Sequence, residues 1–472
     1  MKNILFIQPH KLTLNVLQRR ENCFYYLDNN LYKFKDGNIE LISNYRNNFN
    51  TLKKNQIENL KKRIHLWAPT WTRWISKGYD YENLKATLIF ELCKFNQLLE
   101  VNNIDMVIFS TGIPHHPEIA GIFSLLQEKK IMSIFLFVDN FIGRLIPLKI
   151  TDSLLDKETL NFKISQFSFQ ETIKEYRERS KKNLYPKNTG LVGKFWQINF
   201  YFAALVILIF PVYKKIKRLI FNKKKEFLLF NYPEYNFIEH LFLINQQRIF
   251  LNEYKKKQIS LQQFFKCTNS KSKKIIFYAH MQPEATSFPE GGHLYNNIEI
   301  ILALRAKGYK KEILYKEHFG STNYLEKYIL HTRIGINRNL KYLRMLESLN
   351  CKFLNINQKV DLINGSCIDL LMPLTICGSI AIERSLSGLH TIITGYPWWR
   401  EIPGVIHIDN LNFIDLKDEY FQPNDLIAKG AIDFLNSKLS NKTLSNPLGI
   451  GVGHLENIDE RLNIENQFSD EM

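Results

Sequence analysis

The chain reads as an α/β protein in which two Rossmann-like domains face a cleft and are joined by a helical, apolar connector. Two observations carry that reading. In both halves, short apolar runs alternate with segments of helical length, the pattern of parallel strands linked by crossover helices. In the last third, three polar motifs each follow such a run. They are His280-Met-Gln282-Pro-Glu284-Ala-Thr286-Ser with Gly291-Gly292, then Lys316-Glu317-His318, then Cys377-Gly378-Ser379-Ile-Ala-Ile-Glu383. In open α/β sheets, ligands bind beyond the carboxyl ends of the strands, where helix N-termini offer free backbone N–H groups. Three motifs at three strand ends predict one anion-binding crevice, suited to a nucleotide monophosphate or diphosphate.

The N-terminal unit, residues 1–150, follows the pattern element by element. Ile4–Ile7 is a buried strand opening directly after Met1, with no leader-like stretch before it. Phe24–Lys35 alternates like a hairpin, and Asp36-Gly37-Asn38 forms a turn before Glu40–Ile42. Leu84, Leu88, Leu92, Phe95 and Leu98–Leu99 share one helical face and predict a helix over 81–102. A strand over 105–110, a loop over 111–118, a helix over 119–129 and a strand over 133–138 then make a β-loop-α-β unit. Its loop gathers His115, His116 and Glu118, and Asp139 follows the next strand.

Residues 151–270 form the connector, charged and weakly periodic over 151–190. Within it, 198–225 joins an apolar run, Ile198–Tyr213, to Lys214, Lys215, Lys217, Arg218 and Lys223–Lys225. A spanning helix needs about 20 apolar residues, so the run, interrupted by Pro211, is too short to predict one. Two readings stay open: an interfacial or re-entrant anchor whose basic flank touches anionic lipid, or a buried helix at the domain junction.

The C-terminal unit, 271–440, has strands over 274–278, 311–315, near 352–355, over 370–376 and over 391–394. Helices are expected over 294–307, 324–331, near 360–364 and over 380–387. A tail, 441–472, closes the chain.

At 472 residues there is room for two to three domains. The net charge of +17, from 63 Lys and Arg against 46 Asp and Glu, favours an anionic partner. Nucleic acid is set aside, since no zinc-finger spacing, RNP-type motif or basic helix-turn-helix is visible. Six cysteines without C-x-x-C spacing point to a reducing compartment and away from disulfides or zinc. The expected location is the cytoplasm, with a peripheral place on the inner face of the membrane if the apolar run meets lipid.

Gly378 lets backbone approach a phosphate, Ser379 offers a hydroxyl at a helix start, and Glu383 lies one turn further on. Alternation would put Lys316 and His318 on one side of their strand end, facing that phosphate. Gln282, Glu284 and Thr286 offer hydrogen bonds to sugar or base. Each has a plainer reading as a cap, surface group or packed residue, and Pro397-Trp398-Trp399-Arg400 fits either sugar stacking or a packed cover.

Taken in order, the QPE-x-T, KEH, GS-x-x-x-E and Pro-Trp-Trp motifs resemble the C-terminal half of bacterial capsular-polysaccharide glycosyltransferases. That group is akin to Kdo-transferase-like and CDP-glycerol-transferase-like enzymes of GT-B fold. The resemblance covers about 274–409 and departs at Phe319, where such families carry proline after the histidine. It implies a nucleotide-sugar donor, CMP-linked for preference, whose phosphate meets His318 and Ser379; read together with the loops around them, the donor contacts are Gln282, Glu284, Thr286, Lys316, His318, Gly378, Ser379 and Glu383. The acceptor would be a glycan or lipid-linked, and its base would come from His115, His116, Glu118 or Asp139, with His10 a further candidate. No cofactor or metal is expected, there being no Asp-x-Asp after a strand in the fitting place. A CDP-polyol phosphotransferase, a nucleotide-sugar 2-epimerase and a non-catalytic polysaccharide-binding protein are the rival readings.

Overall fold

The structure, a computed structural model, describes residues 3–7, 23–27, 30–35, 38–42, 52–66, 81–109, 117–139, 144–150, 157–159, 201, 204–205, 209, 237–267, 272–280, 290–318, 321, 338–358, 360–363, 368–412 and 414–438. Two sheets organise them, and the mixed α/β class expected from the sequence is the one observed.

The first sheet contains β1 (Asn3–Ile7), β2 (Cys23–Leu27), β3 (Asn30–Lys35), β4 (Asn38–Ile42), β5 (Ile104–Phe109), β6 (Met132–Asp139), β7 (Arg144–Ile150) and β8 (Lys157–Thr159). Its order is β4-β3-β2-β1-β5-β6-β7-β8. The centre is parallel, while β2-β3-β4 and β6-β7-β8 are antiparallel ribbons at the two edges. The aromatic stretch is thus two hairpins, and β8 comes from the stretch expected to be connector. Helices α1 (Lys54–Leu66), α2 (Tyr81–Val101) and α3 (Pro117–Glu128) cover this sheet. The predicted stripe is the reason for α2: Leu88, Leu92, Phe95, Leu98 and Leu99 are all buried. Each such side chain taken out of water is worth roughly 1.5–3 kcal/mol.

Helices α4 (Phe237–Lys257) and α5 (Leu261–Cys267) precede the second sheet. That sheet holds β9 (Lys274–Tyr278), β10 (Ile313–Lys316), β11 (Cys351–Phe353), β12 (Leu371–Thr375), β13 (Thr391–Ile393) and β14 (Val405–His407). All its pairings are parallel, in the order β11-β10-β9-β12-β13-β14. This is the 3-2-1-4-5-6 order of a doubly wound sheet, with its switch point between β9 and β12. Intervening helices are α6 (Asn297–Ala306), α7 (Leu340–Ser348) and α8 (Ile380–Leu386), and α9 (Asp425–Lys438) follows the last strand. Side chains split by strand alternation: Ile275 and Phe277 enter the α4–α6–α7 layer, while Ile276 joins Leu261, Phe264 and Leu362 on the opposite face. Helix α8 ends where Gly388 takes φ +76°, and the Leu389 amide bonds back to the Arg384 carbonyl. Such a left-handed stop suits glycine.

Two expectations change and one open choice is decided. The helix foreseen over 294–307 is a 3-10 turn at Gly292–Leu294 followed by α6 from Asn297. No helix forms over the described residues 360–363, where the Asp361 carboxylate accepts the Ile363 amide, a local bond that competes with helical pairing. Trp398 and Trp399 are buried in the apolar cluster that also holds Ala381, Ile382 and Leu435, so the double tryptophan is a packed cover. The expected helix over 324–331 lies outside the described residues, as does the tail.

Candidate functional site

The carboxyl ends of β10, β9 and β12 are neighbours in the sheet, which brings His280, Lys316-Glu317-His318 and Gly378-Ser379 to one edge. Side chains tie them together. The buried His280, two residues past β9, bonds through Nε2 to Thr375 Oγ1 at the end of β12 (2.9 Å), across the switch point. That hydroxyl also accepts the Gly378 amide (3.1 Å). A Cβ built on Gly378 would lie 2.5 Å from the same oxygen, which explains why the turn needs glycine. Burial, then the nearby charges of His318 and Arg338, lower the His280 pKa to about 3, so its ring is neutral near neutral pH.

At the end of β10, Glu317 is buried and takes part in an ion pair that no motif announced. Arg338, just before α7, donates Nε to Glu317 Oε2 (2.8 Å) and Nη2 to Oε1 (3.1 Å). Burial opposes the arginine charge, but Glu317 with Tyr342 and Tyr315 outweighs it and raises the Arg338 pKa. Tyr315 donates its hydroxyl to Glu317 Oε2 (2.9 Å) and lies 2.8 Å from the Tyr342 hydroxyl, which donates to it in turn. Glu317 Oε1 also accepts the His318 amide (2.8 Å). Ser321 donates both its amide and its hydroxyl to the His318 carbonyl (3.0 and 2.7 Å). Phe319, where the resembling families carry proline, lies outside the described residues.

Lys316 is buried, whereas His318 is exposed. Its Nζ donates to the carbonyls of Gln358 (2.7 Å) and Ile356 (3.4 Å), and burial lowers its pKa to about 8. Strand alternation stops at Lys316, where β10 ends, so His318 follows the turn instead and is exposed.

Ser379 precedes α8 and makes no side-chain capping bond; its hydroxyl donates to Glu383 Oε1 (3.2 Å). Serine and glutamate thus form one polar unit beside Gly378. On the far side, the Glu290 carbonyl accepts the Tyr396 amide (2.6 Å), and Gly292 takes φ +56°. Gln282, Glu284, Thr286, His115, His116 and His10 lie outside the described residues. Glu118 falls in α3 and Asp139 ends β6. No cluster of three or more metal-binding side chains occurs among the described residues.

No family profile and no curated protein matches the chain. Among solved structures it is similar to the KpsC beta Kdo 2,7 transferase of Thermosulfurimonas dismutans, at 12% identity and TM-score 0.31, over 82% of this chain and 97% of that one. It is also similar to a UDP-GlcNAc 2-epimerase of Methanocaldococcus jannaschii, at 12% identity and TM-score 0.22, over 99% and 100% of the two chains. A third similarity is to the UDP-GlcNAc 2-epimerase of Neisseria meningitidis, at 11% identity and TM-score 0.22, over 98% and 100%.

Proposed function

We propose that the chain is a GT-B-like glycosyltransferase of surface-polysaccharide assembly, moving a sugar from a nucleotide-linked donor, CMP-linked for preference, to a glycan or lipid-linked acceptor. The supporting observation is the hydrogen-bonded meeting of His280, Glu317 and the Gly378 turn on adjacent parallel strand ends at the switch point. In this reading His318 and Ser379 receive the donor phosphate, Ser379 by turning its hydroxyl from Glu383 to the phosphate, while Gly378, whose amide is held by Thr375, lets the backbone come close. Neutralising the leaving nucleotide's charge with fixed donors is what such a transfer requires. Gln282, Glu284 and Thr286 would complete the donor side, and His115, His116, Glu118 or Asp139 would supply the acceptor's base. Lys316, committed to two loop carbonyls, is left to hold the loop.

Work at an anionic membrane surface fits the same reading. Tyr201, Leu205 and Ile209 recur at every fourth residue, all in helical conformation and all exposed. Between Arg179 and Lys225 the sequence carries twelve Lys and Arg and no Asp or Glu, a balance that favours anionic lipid. No described helix is long and apolar enough to cross a bilayer.

A thermal-shift panel of CMP, CDP, UDP, GDP and dTDP tests the site. A ligand at about 100 times its Kd adds about 2.7 kcal/mol. Stabilisation by a cytidine nucleotide, lost in His318→Ala and Ser379→Ala, is expected. A response to UDP alone would favour an epimerase or a UDP-sugar transferase, and silence from all five would overturn the nucleotide reading.

A further inference from the structure

Arg338 reaches two of the three motif loops at once. Its Nη2 bridges Glu317 Oε1 (3.1 Å) and the carbonyl of His280 (2.7 Å), while Nε holds Glu317 Oε2 (2.8 Å). Its guanidinium also lies over the Tyr342 ring, 4.7 Å from the centroid. Asn297, at the start of α6, ties the same stretch from the other side: Nδ2 donates to the His280 carbonyl (3.2 Å) and Oδ1 accepts the His280 amide (3.4 Å). The carboxylate that Arg338 grips is the one accepting the His318 amide. Arg338 and Glu317 are both buried, and the grip is a two-point, planar one that lysine cannot reproduce.

We propose that Arg338 is a positioning residue of the donor site. Through Glu317 it sets the turn that carries His318, and through the His280 carbonyl it sets the start of the QPE loop. The spacing between these loops, and with it donor affinity, is then governed by a side chain that does not meet the donor. The affinity part rests on the nucleotide-site reading above; the coupling of the two loops does not.

The test uses the full chain and the variants Arg338→Lys, Glu317→Gln and the double variant R338M/E317Q. Removing both partners leaves no buried charge unpaired, so the double variant keeps its fold where a single deletion endangers it. Two readouts are taken: Kd for the best nucleotide of the five-member panel, and amide hydrogen exchange of peptides spanning 279–282 and 317–321. A folded R338M/E317Q protein is expected to bind the nucleotide about tenfold more weakly. Exchange in both peptides should accelerate together while the β9 and β10 amides keep their protection, and Arg338→Lys should rescue neither readout fully. Wild-type exchange in both loops of the double variant would overturn the proposal. So would acceleration in one loop alone, or nucleotide affinity that stays unchanged. If wild type binds no nucleotide, the donor reading falls, and the exchange data alone decide whether Arg338 couples the loops.

Discussion

The two faces of the C-terminal sheet each bury an arginine, and the two are held in opposite ways. Arg338, among the tyrosines of the α4–α6–α7 layer, has a carboxylate partner, and its pKa is raised. Arg384, in α8, sits beside Leu362 on the other face and donates Nε to the His390 carbonyl (2.8 Å) and Nη1 to the Leu362 carbonyl (2.6 Å). No carboxylate pairs with it among the described residues, its Nη2 lacks a hydrogen-bond partner there, and burial lowers its pKa to about 10. The first arrangement places a fixed fork where loop geometry matters. The second holds two backbone segments with neutral acceptors and accepts a desolvation cost.

Arg338→Met sharpens the contrast most. It strands the Glu317 carboxylate in a buried position, and the expected loss is about 3–5 kcal/mol in urea unfolding. A loss below about 1 kcal/mol would mean the carboxylate finds water or a proton and the fork is dispensable. Arg384→Met removes a charge without orphaning another, leaving two carbonyls short of a donor. It should cost about 1–2 kcal/mol, and a cost equal to that of Arg338→Met would erase the distinction between the two faces.

A pH effect asks whether Glu317 fully screens its partner. The Arg338 charge still helps to keep His280 neutral, after burial and His318, with a pKa of about 3 against an ordinary 6.5. Between those values the unfolded chain holds the extra proton, so this contribution is intact above pH 6.5 and shrinks as pH falls through the window. In His280→Asn the urea midpoint should fall less between pH 6.5 and 4 than in wild type. Equal pH slopes would show that the imidazole titrates normally.

Much of the C-terminal sheet was legible because parallel, doubly covered strands read as continuous apolar runs, and its motifs stand directly behind three of them. Gly378 stood out in the sequence as a turn suited to a phosphate, but the reason for glycine that the fold shows is another one: the turn presses backbone against Thr375 and leaves no room for a side chain. Arg338 was not. It lies 21 positions beyond Glu317, in no motif, and only the fold shows that the two meet. Lys316 misled because alternation was carried past the point where the strand stops. The tryptophan pair could be weighed only once its burial was known. At the N-terminal sheet, β7 and the edge strand β8 were missed: Pro147 interrupts the pattern of β7, and β8 has only three residues.

The bond between His280 and Thr375 joins residues 95 positions apart, and the fork joins the two intervening loops. Closing so long a loop must precede the reward for closing it. During synthesis, this hydrogen-bonded arrangement cannot form until β12 and the glycine turn behind it have left the ribosome. A nascent or truncated chain ending before Gly378 therefore lacks the segment that joins β9 to β12 at this edge, and on the proposed function its ability to bind nucleotide would arrive late in the chain.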